Sequence, residues 1–443
     1  MNHARFDAVL RGLNDGQMAA VDRIADGWQG PTGNVRLTIV DGPPGTGKTH
    51  VASAAAGRWV VDQKRRVVVL SPTHTAGERV HQAMLNVGFE RGQVLRLAPG
   101  NPNYNEQHGV LHFERVDLLP PNLRRVLQQA DVLITTWHGC QRAIGSEWDS
   151  SGPSGFLLLV DEVSQVSFAA FLAILKRVRK KRPSGYALLG DPHQLPVIAT
   201  QEVLATNAAL GVLRRHPECS PCRLELQYRM NEAICNTVNE IRRAGFGGNP
   251  LRPGTPEVAG RTLDQVAGPY APSDAALASI LDPQAPVVFV DTAPLSPPHP
   301  RERSVGTSWE YEAEAQLAVK LGKAVESSYQ GSTHDTIALS SPYAAQVALM
   351  SRLGASSAIT VYKAQGHEWD CVIISLARTV GRTVMDEVHQ NIYVALSRAR
   401  CKLILLLNTT LFGPYRVFGS LLRLVGQAEG VRLVRANPQW VQP

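Results

Sequence analysis

No apolar run in this 443-residue sequence approaches the ~18 residues that a membrane-crossing helix requires; runs such as Phe156–Val160 and Leu403–Leu407 have the length of strands. The opening stretch MNHARFDAVLRG has no apolar core of the kind a secretory signal carries, which argues against export. Cysteine is scarce. The six residues, at 140, 219, 222, 235, 371 and 401, are too few and too irregular for a disulfide scaffold, so a reducing, cytoplasmic setting is expected. No repeat of 20–50 residues and no low-complexity tail is present. Neither sign of charge dominates: 45 Lys+Arg stand against 38 Asp+Glu, for a net +7. Residues 1–222 hold 24 basic and 19 acidic residues and the remainder 21 and 19, so no basic tail stands apart. Charge alone therefore permits a nucleic-acid or acidic-membrane partner without requiring either.

What is present is a globular composition, 44% hydrophobic and 19% charged, in a chain long enough for two or three domains. Short β-branched or leucine-rich runs recur between helix-like stretches: Leu37–Val40, Val67–Leu70, Val132–Thr135, Phe156–Val160 and Tyr186–Leu189. Strands apolar throughout imply a parallel sheet covered on both faces. A second series follows at Val287–Val290, Thr336–Leu339, Ala358–Val361, Val372–Ser375 and Leu403–Leu407. The pattern predicts an α/β protein with two sheets in tandem, residues 1–222 and 223–443, joined through a hinge at Arg214–Arg223. Two segments read as insertions. Residues 85–129 carry Pro and Asn clusters, and eleven of the 29 prolines fall in Asn249–Pro300, within a loop-rich connection at 245–306.

The strand LTIVD leads into Gly42-Pro43-Pro44-Gly45-Thr46-Gly47-Lys48-Thr49, and a helix-forming stretch begins at His50. This is the G-x-x-x-x-G-K-T phosphate loop in the setting the motif needs. Glycines let successive backbone N–H groups converge on a phosphate, and the helix N-terminus adds its positive end. Lys48 is placed to reach the β/γ oxygens and Thr49 to ligate Mg²⁺; His50 reads most simply as a helix N-terminal residue. The apolar run FLLLV ends in Asp161-Glu162. Asp161 suits holding Mg²⁺ and Glu162 suits orienting and deprotonating a water. These two motifs indicate NTP hydrolysis without saying what it drives.

Five further segments occur in a telling order: Asp161-Glu-Val-Ser-Gln165, Gly190-Asp-Pro-His-Gln194-Leu-Pro196, Leu226-Gln-Tyr-Arg229-Met230, Thr360-Val-Tyr-Lys-Ala-Gln365-Gly366-His-Glu368, and Val394-Ala-Leu-Ser-Arg398-Ala-Arg400. With the phosphate loop they resemble a superfamily 1 helicase, and QYRM resembles the up-frameshift and senataxin-type group, superfamily 1B. The likeness runs from about Leu13 beyond Leu407. It implies two tandem RecA-like domains with an NTP cleft between them, and ATP with Mg²⁺ as ligands. Within it, Gln17 resembles the glutamine that reads adenine, Gln194 the γ-phosphate sensor, and Arg229 and Arg398 the arginine fingers of the second domain. Tyr228 would border the nucleotide base, and Gly366 and Glu368 would lie near the nucleotide, Glu368 by the ribose.

The resemblance also implies contacts to a single strand of DNA or RNA, through Pro72, Thr73 and His74, Thr136, Pro342 and Tyr343, and Thr360 and Val361. Hydroxyls and strand-end loops suit phosphate and sugar contacts, and Tyr343 or Trp137 could stack bases unless they are core or rim aromatics. The sequence departs from the family at Val163, commonly alanine, and at His74, commonly a small polar residue. Only twelve residues precede the Leu13–Gln17 segment, so a nearly bare, monomeric motor core is expected, dependent on a protein partner for recruitment or activation.

Three features have a blander reading. His216, Cys219 and Cys222 have metal-like spacing but no second pair, so a surface loop is favoured over zinc. The run Lys176–Arg182 follows an apolar helix and reads as its solvated basic end. Cys140, Cys235, Cys371 and Cys401 read as core thiols. The expectation is thus an ATP- and Mg²⁺-dependent motor that moves on single strands, 5′ to 3′ by family likeness, and unwinds or remodels. The alternative is an ATP-gated single-strand clamp that does not unwind. A kinase with a similar loop would leave both arginine motifs unexplained.

Overall fold

A computed structural model of the chain describes residues 1–26, 37–115, 118–140, 156–178, 185–195, 209–216, 220–296, 299–333, 336–380 and 385–441. The chain divides into two compact units, Met1–Pro192 with Pro196–Leu224, and His193–Leu195 with Glu225–Pro443.

The first unit is built on one sheet of β1 (Leu37–Asp41), β2 (Arg66–Ser71), β3 (Val94–Ala98), β4 (Asn103–Asn105), β5 (Val110–His112), β6 (Val132–Thr136), β7 (Phe156–Val160), β8 (Gly185–Gly190) and β9 (Cys222–Arg223). Their spatial order is β4-β5-β3-β6-β2-β7-β8-β1-β9, and only the β4–β5 pair is antiparallel. Period-two alternation of apolar side chains supplies both faces. In β2, Val68 and Leu70 enter one core and Val67 and Val69 the other; β7 divides the same way, with Leu158 opposite Leu157 and Leu159. Burial on both sides is why these strands carry no polar face.

Helices α1 (His3–Arg11), α2 (Asp15–Asp26), α3 (Lys48–Gln63) and α4 (His74–Val87) occur in the same unit. Helix α3 is buried along most of its length by a run of small residues, Ala52 to Gly57, that lets it lie close to its neighbours. Thr73 starts α4 by accepting a hydrogen bond on Oγ1 from Ala76 N at 3.1 Å. Gly88, at φ 119°, ends it, as left-handed glycines commonly do.

Two expectations change here. Residues 85–129, read as an insert, carry β3, β4 and β5, which extend the main sheet at one edge. Part of the expected hinge, Cys222–Arg223, is a strand paired with Val40–Asp41 of β1. Arg214, at the other end of that stretch, donates through Nη2 to the Asp41 carboxylate at 2.8 Å.

The second unit opens with a short parallel pair, β10 (Leu226–Gln227) and β11 (Arg252–Pro253). Its main sheet uses β12 (Val287–Asp291), β15 (Ile337–Ser341), β16 (Ala358–Thr360), β17 (Trp369–Ser375), β18 (Ala399–Leu407) and β19 (Val431–Arg435), while β13 (Arg303–Val305) and β14 (Ser308–Glu310) form a hairpin. The sheet order is β16-β15-β17-β18-β12-β19, parallel throughout. Val288 and Val290 face one core, and Val287 and Phe289 the other. Cys140, Cys235, Cys371 and Cys401 are buried, matching their reading as core thiols. Among the described residues no helix is long and apolar enough to cross a membrane.

A buried carboxylate organises the strand ends of this second sheet. Glu314, fully buried, accepts from Ser375 Oγ at 2.8 Å, Ala377 N at 2.8 Å and Thr292 Oγ1 at 3.0 Å. Ala377 holds φ +54°, a left-handed conformation that needs such support in a residue with a Cβ. The loop it belongs to carries Arg378 over the Trp309 ring, 4.1 Å from its centroid, with Nε donating to Glu302 at 3.2 Å.

Candidate nucleotide site and strand-end surfaces

In the first unit the carboxyl ends of β1, β7 and β8 share one edge of a parallel sheet, so the loops leaving them meet. Gly42 N donates to Gly190 O at 2.9 Å, tying the start of the phosphate loop to the end of β8. Within the loop, Thr46 Oγ1 donates to Pro43 O at 2.8 Å. Gly45 and Gly47 hold φ of 78° and 83°, and a Cβ on Gly42 would lie 2.2 Å from Lys48 Cγ. The glycines are therefore required by backbone hand and by the close passage of the lysine. Lys48 Nζ donates to Gly42 O at 2.7 Å and lies 3.5 Å from Glu162 Oε1. Thr49 and His50 fall in the first turn of α3, His50 exposed.

Asp161 is buried at the end of β7, and Glu162 is part-buried with φ +49°. Burial pushes the Asp161 carboxyl well above the usual range; the adjacent Glu162 carboxylate adds to this, and Lys48 opposes it. Glu162 Oε2 is buried with no hydrogen-bond partner. Thr49 and Asp161 offer hard oxygen donors, and a carboxylate crowded by a second carboxylate gains most from a nearby divalent cation, so this donor set fits Mg²⁺.

Gln17 reaches the same loop. Its backbone N donates to Asn14 Oδ1 at 2.9 Å and its Oε1 accepts from Asn14 N at 3.2 Å, a reciprocal cap at the start of α2. That lock aims Nε2 at Thr46 O, 3.0 Å away. Gln194 is buried and lies in the three-residue segment that belongs to the second unit. Its neighbour His193 stacks on Phe246 with centroids 4.8 Å apart, and meets Tyr393 edge-on at 6.5 Å.

In the second unit, four of the charged residues quoted from the motifs come together. Arg229 Nε donates to Glu368 Oε2 at 2.5 Å and its Nη1 to Ser397 O at 3.1 Å. Arg400 Nη1 lies 3.7 Å from Glu368 Oε1. Partial burial works to raise the Glu368 carboxyl, but Arg229, then Arg400 and Arg398, hold it below the usual range. Arg398 is buried, with Nε donating to Val394 O at 2.9 Å and Nη1 to His367 O at 3.3 Å. Gly366, exposed at φ 80°, turns the chain just before Glu368.

Two residues to which the motif reading gave no role build this arrangement. Gln227 is fully buried and closes its own turn: Oε1 accepts from Arg229 N at 2.9 Å and Met230 N at 2.7 Å, while Nε2 donates to Met230 O at 2.7 Å. Gly254 leaves room for Tyr228, since a Cβ there would lie 2.3 Å from the ring.

The expected strand contacts fall on each unit separately. In the second, Ser341 pairs with Thr360 across β15 and β16, and Val361 N donates to Ser341 O at 3.1 Å. This sets Pro342, Tyr343, Thr360 and Val361 at adjoining strand ends. In the first, Pro72 precedes Thr73 and His74, which start α4, and Thr136 Oγ1 accepts from Gly139 N at 3.1 Å. Thr73, His74 and Thr136 line one recess of about 420 Å³. Trp137 packs against the core, in line with its blander reading. Cys222 Sγ accepts from Arg23 Nη1 at 3.7 Å; Cys219 and the basic residues 179–182 lie outside the described residues.

The AAA domain family matches this chain twice, at residues 12–214 through one profile and at 207–410 through another. An uncharacterised ATP-dependent helicase of Methanocaldococcus jannaschii is 26% identical over 314 residues, 69% of this chain and 43% of that protein. Regulator of nonsense transcripts 1 of Caenorhabditis elegans is 26% identical over 271 residues, 53% of this chain and 23% of that protein. Its Dictyostelium discoideum counterpart is 24% identical over 469 residues, 93% of this chain and 32% of that protein. The chain spans less than half the length of these relatives. Among solved structures, the arterivirus nonstructural protein 10 helicase in complex with DNA covers 93% of this chain and 66% of its own, at 16% identity and TM-score 0.44. The helicase MrfA bound to DNA and AMPPNP covers 98% and 54%, at 13% identity and TM-score 0.47.

Two α/β units with a strand–phosphate loop–helix in the first define a P-loop NTPase of tandem RecA-like type. Within that class, the ordered motifs resemble those of helicase superfamily 1, up-frameshift group, and the curated relatives, at 24–26% identity, are an ATP-dependent helicase and regulators of nonsense transcripts.

Proposed function

We propose that the chain is an ATP-dependent motor that moves on single strands of DNA or RNA, 5′ to 3′, and couples hydrolysis to unwinding or remodelling. The observation that supports this most directly is Lys48 Nζ 3.5 Å from Glu162, whose other oxygen is buried and unpartnered. A free carboxylate oxygen beside the phosphate-loop lysine is what a water-activating base requires. In this reading Gly42 to His50 cradle the phosphates, Gln17 and Tyr228 border the base, and Gly366 and Glu368 lie toward the nucleotide. Thr49 and Asp161 would hold Mg²⁺, which neutralises charge on the β- and γ-phosphate oxygens when bound. Gln194 senses the γ-phosphate, and Arg229 and Arg398 stabilise charge that develops on it. Pro72, Thr73, His74 and Thr136, with Pro342, Tyr343, Thr360 and Val361, contact the strand's sugars and phosphates. The protein acts in the cytoplasm as a monomer, recruited or activated by a partner.

Lys48→Ala and Glu162→Gln are each expected to lower strand-stimulated ATP turnover by roughly 10²–10⁴-fold while single-strand binding persists. Full turnover in either variant would remove the catalytic assignment. An ATP-gated clamp is the second reading, favoured by the absorption of β3, β4 and β5 into the main sheet. A duplex with a 5′ overhang separates the two: a motor displaces the complementary strand, whereas a clamp clears bound protein and leaves the duplex paired.

A further inference from the structure

The recess in the first unit is lined by more than the threonines expected to touch the strand, and the side chains on its β3–β5 side differ in chemistry from those at the start of α4. At the mouth are Thr73 and His74, at the start of α4, and Thr136, at the end of β6. The floor is apolar, made by Val110 and Ile134, which share a sheet face with Arg96. The far wall comes from the β3–β5 edge and presents Asn105, His108 and His112. Two of these are fixed by short contacts: Asn105 Oδ1 accepts from His108 N at 3.2 Å, and His112 Nδ1 lies 3.3 Å from Pro99 O. Arg96 also lines the recess. Its Nη1 lies 3.6 Å from Glu78 Oε2 and its Nη2 donates to His108 O at 3.2 Å, while Nε is buried with no partner.

We propose that this recess is a nucleobase pocket, taking one unstacked base of the strand whose sugar and phosphate lie at the mouth. The proposal rests on the reading that the chain binds single strands. Phosphate alone does not suit the interior. The one cation there already faces the Glu78 carboxylate, and the floor offers an anion nothing. A base is a neutral, flat heterocycle with an apolar face and a polar edge. Imidazole rings and an aliphatic floor suit the face, and the Asn105 amide, both donor and acceptor, suits the edge. At about 420 Å³ the recess has the size of a small-ligand site. Gly109 helps hold the wall in place: at φ 57° it lies so close to His81 that a Cβ would come within 2.5 Å of Nε2. The turn carrying His108 is thereby seated on a buried ring.

The test compares a single-stranded oligonucleotide with the same oligonucleotide made abasic at alternate positions, each titrated against the full chain and its His108→Ala/His112→Ala variant. The variant is expected to bind the intact strand about ten-fold more weakly than the parent, the size of one lost base-stacking contact. On the abasic strand the two proteins are expected to bind alike. An equal loss on both strands would overturn the proposal, because the histidines would then serve sugar or phosphate; equal binding on both strands would overturn it as well. A parent protein that bound neither strand would overturn the single-strand reading itself, a distinct result. Asn105→Ala, at the exposed end of β4, repeats the comparison with less disturbance, and affinity for a fluorescent ADP analogue is expected to stay unchanged in both variants.

Discussion

Glu314 shows how a single buried charge can be read out in solution. Burial raises its carboxyl from an ordinary 4.5 to about 7, against the hydrogen bonds from Ala377, Ser375 and Thr292. The folded chain therefore binds a proton between about pH 4.5 and 7 that the unfolded chain has released. The stability this confers is complete below the unfolded value and is lost as pH rises through the folded one. Melts of the parent and of Glu314→Gln at pH 5 and pH 8 are expected to show the parent losing up to about 3 kcal/mol relative to the variant as pH rises. A constant difference would mean that Glu314 does not titrate in that window. Glu162 carries a different stress. Its backbone sits at φ +49° while its side chain keeps one oxygen unpaired. Both cost stability, and strain of this kind concentrates where chemistry is done.

At the scale of elements, the QYRM turn is a self-contained piece of construction. Gln227 makes three hydrogen bonds to the backbone of its own tetrapeptide, and that fold aims Arg229 at Glu368. Gln227→Ala leaves buried backbone groups without partners. It is expected to destabilise the second unit by about 2–4 kcal/mol, measured by urea unfolding, and to disperse the Arg229–Glu368 pair. The same turn shows why some elements can be read from sequence and others cannot. The phosphate loop is legible because its glycine, lysine and threonine spacing follows a short apolar strand, and the strand leading to Asp161 because a fully apolar run of five ending in two carboxylates fits little but a buried parallel strand and its loop. Strands β4 and β5 have three residues each, too short to show a period, and β3–β5 are recruited to the sheet by neighbours far away in sequence. Gln227 stands in the QYRM motif, but its task of holding the backbone groups beside it is not written there, and Gly254 carries no motif signal because it serves a ring 26 positions earlier. Arg96, His108 and His112 were illegible for the same reason: what joins them is a sheet edge.

At the scale of the whole molecule, the chain passes between its units more than once. Residues 193–195 leave the first unit, pack with the second, and the chain then returns to complete the first. His193→Ala removes the ring stacked on Phe246, worth about 0.5–1.5 kcal/mol beyond its buried area. Although His193 lies in the first half of the sequence, the variant is expected to lose hydrogen-exchange protection around residues 242–246 and 390–396 and to keep it across β7 and β8. Loss confined to β8 would show that His193 serves the first unit. The small, evenly divided net charge also belongs to this scale: it suits the proposed motor, which must release each phosphate as it steps, whereas a densely basic surface would hold it.

The excursion at 193–195 has a bearing on the birth of the protein as well. His193 leaves the ribosome roughly 200 residues before Tyr393, the second ring it meets. At bacterial to eukaryotic elongation rates of about 5–20 residues per second, that interval is on the order of 10–40 s. During it, the segment holding Gln194 has no finished second unit to pack into. The segment holding Gln194 is thus expected to settle late, and the nascent chain can complete its phosphate loop well before residues 193–195 find the rings they pack against.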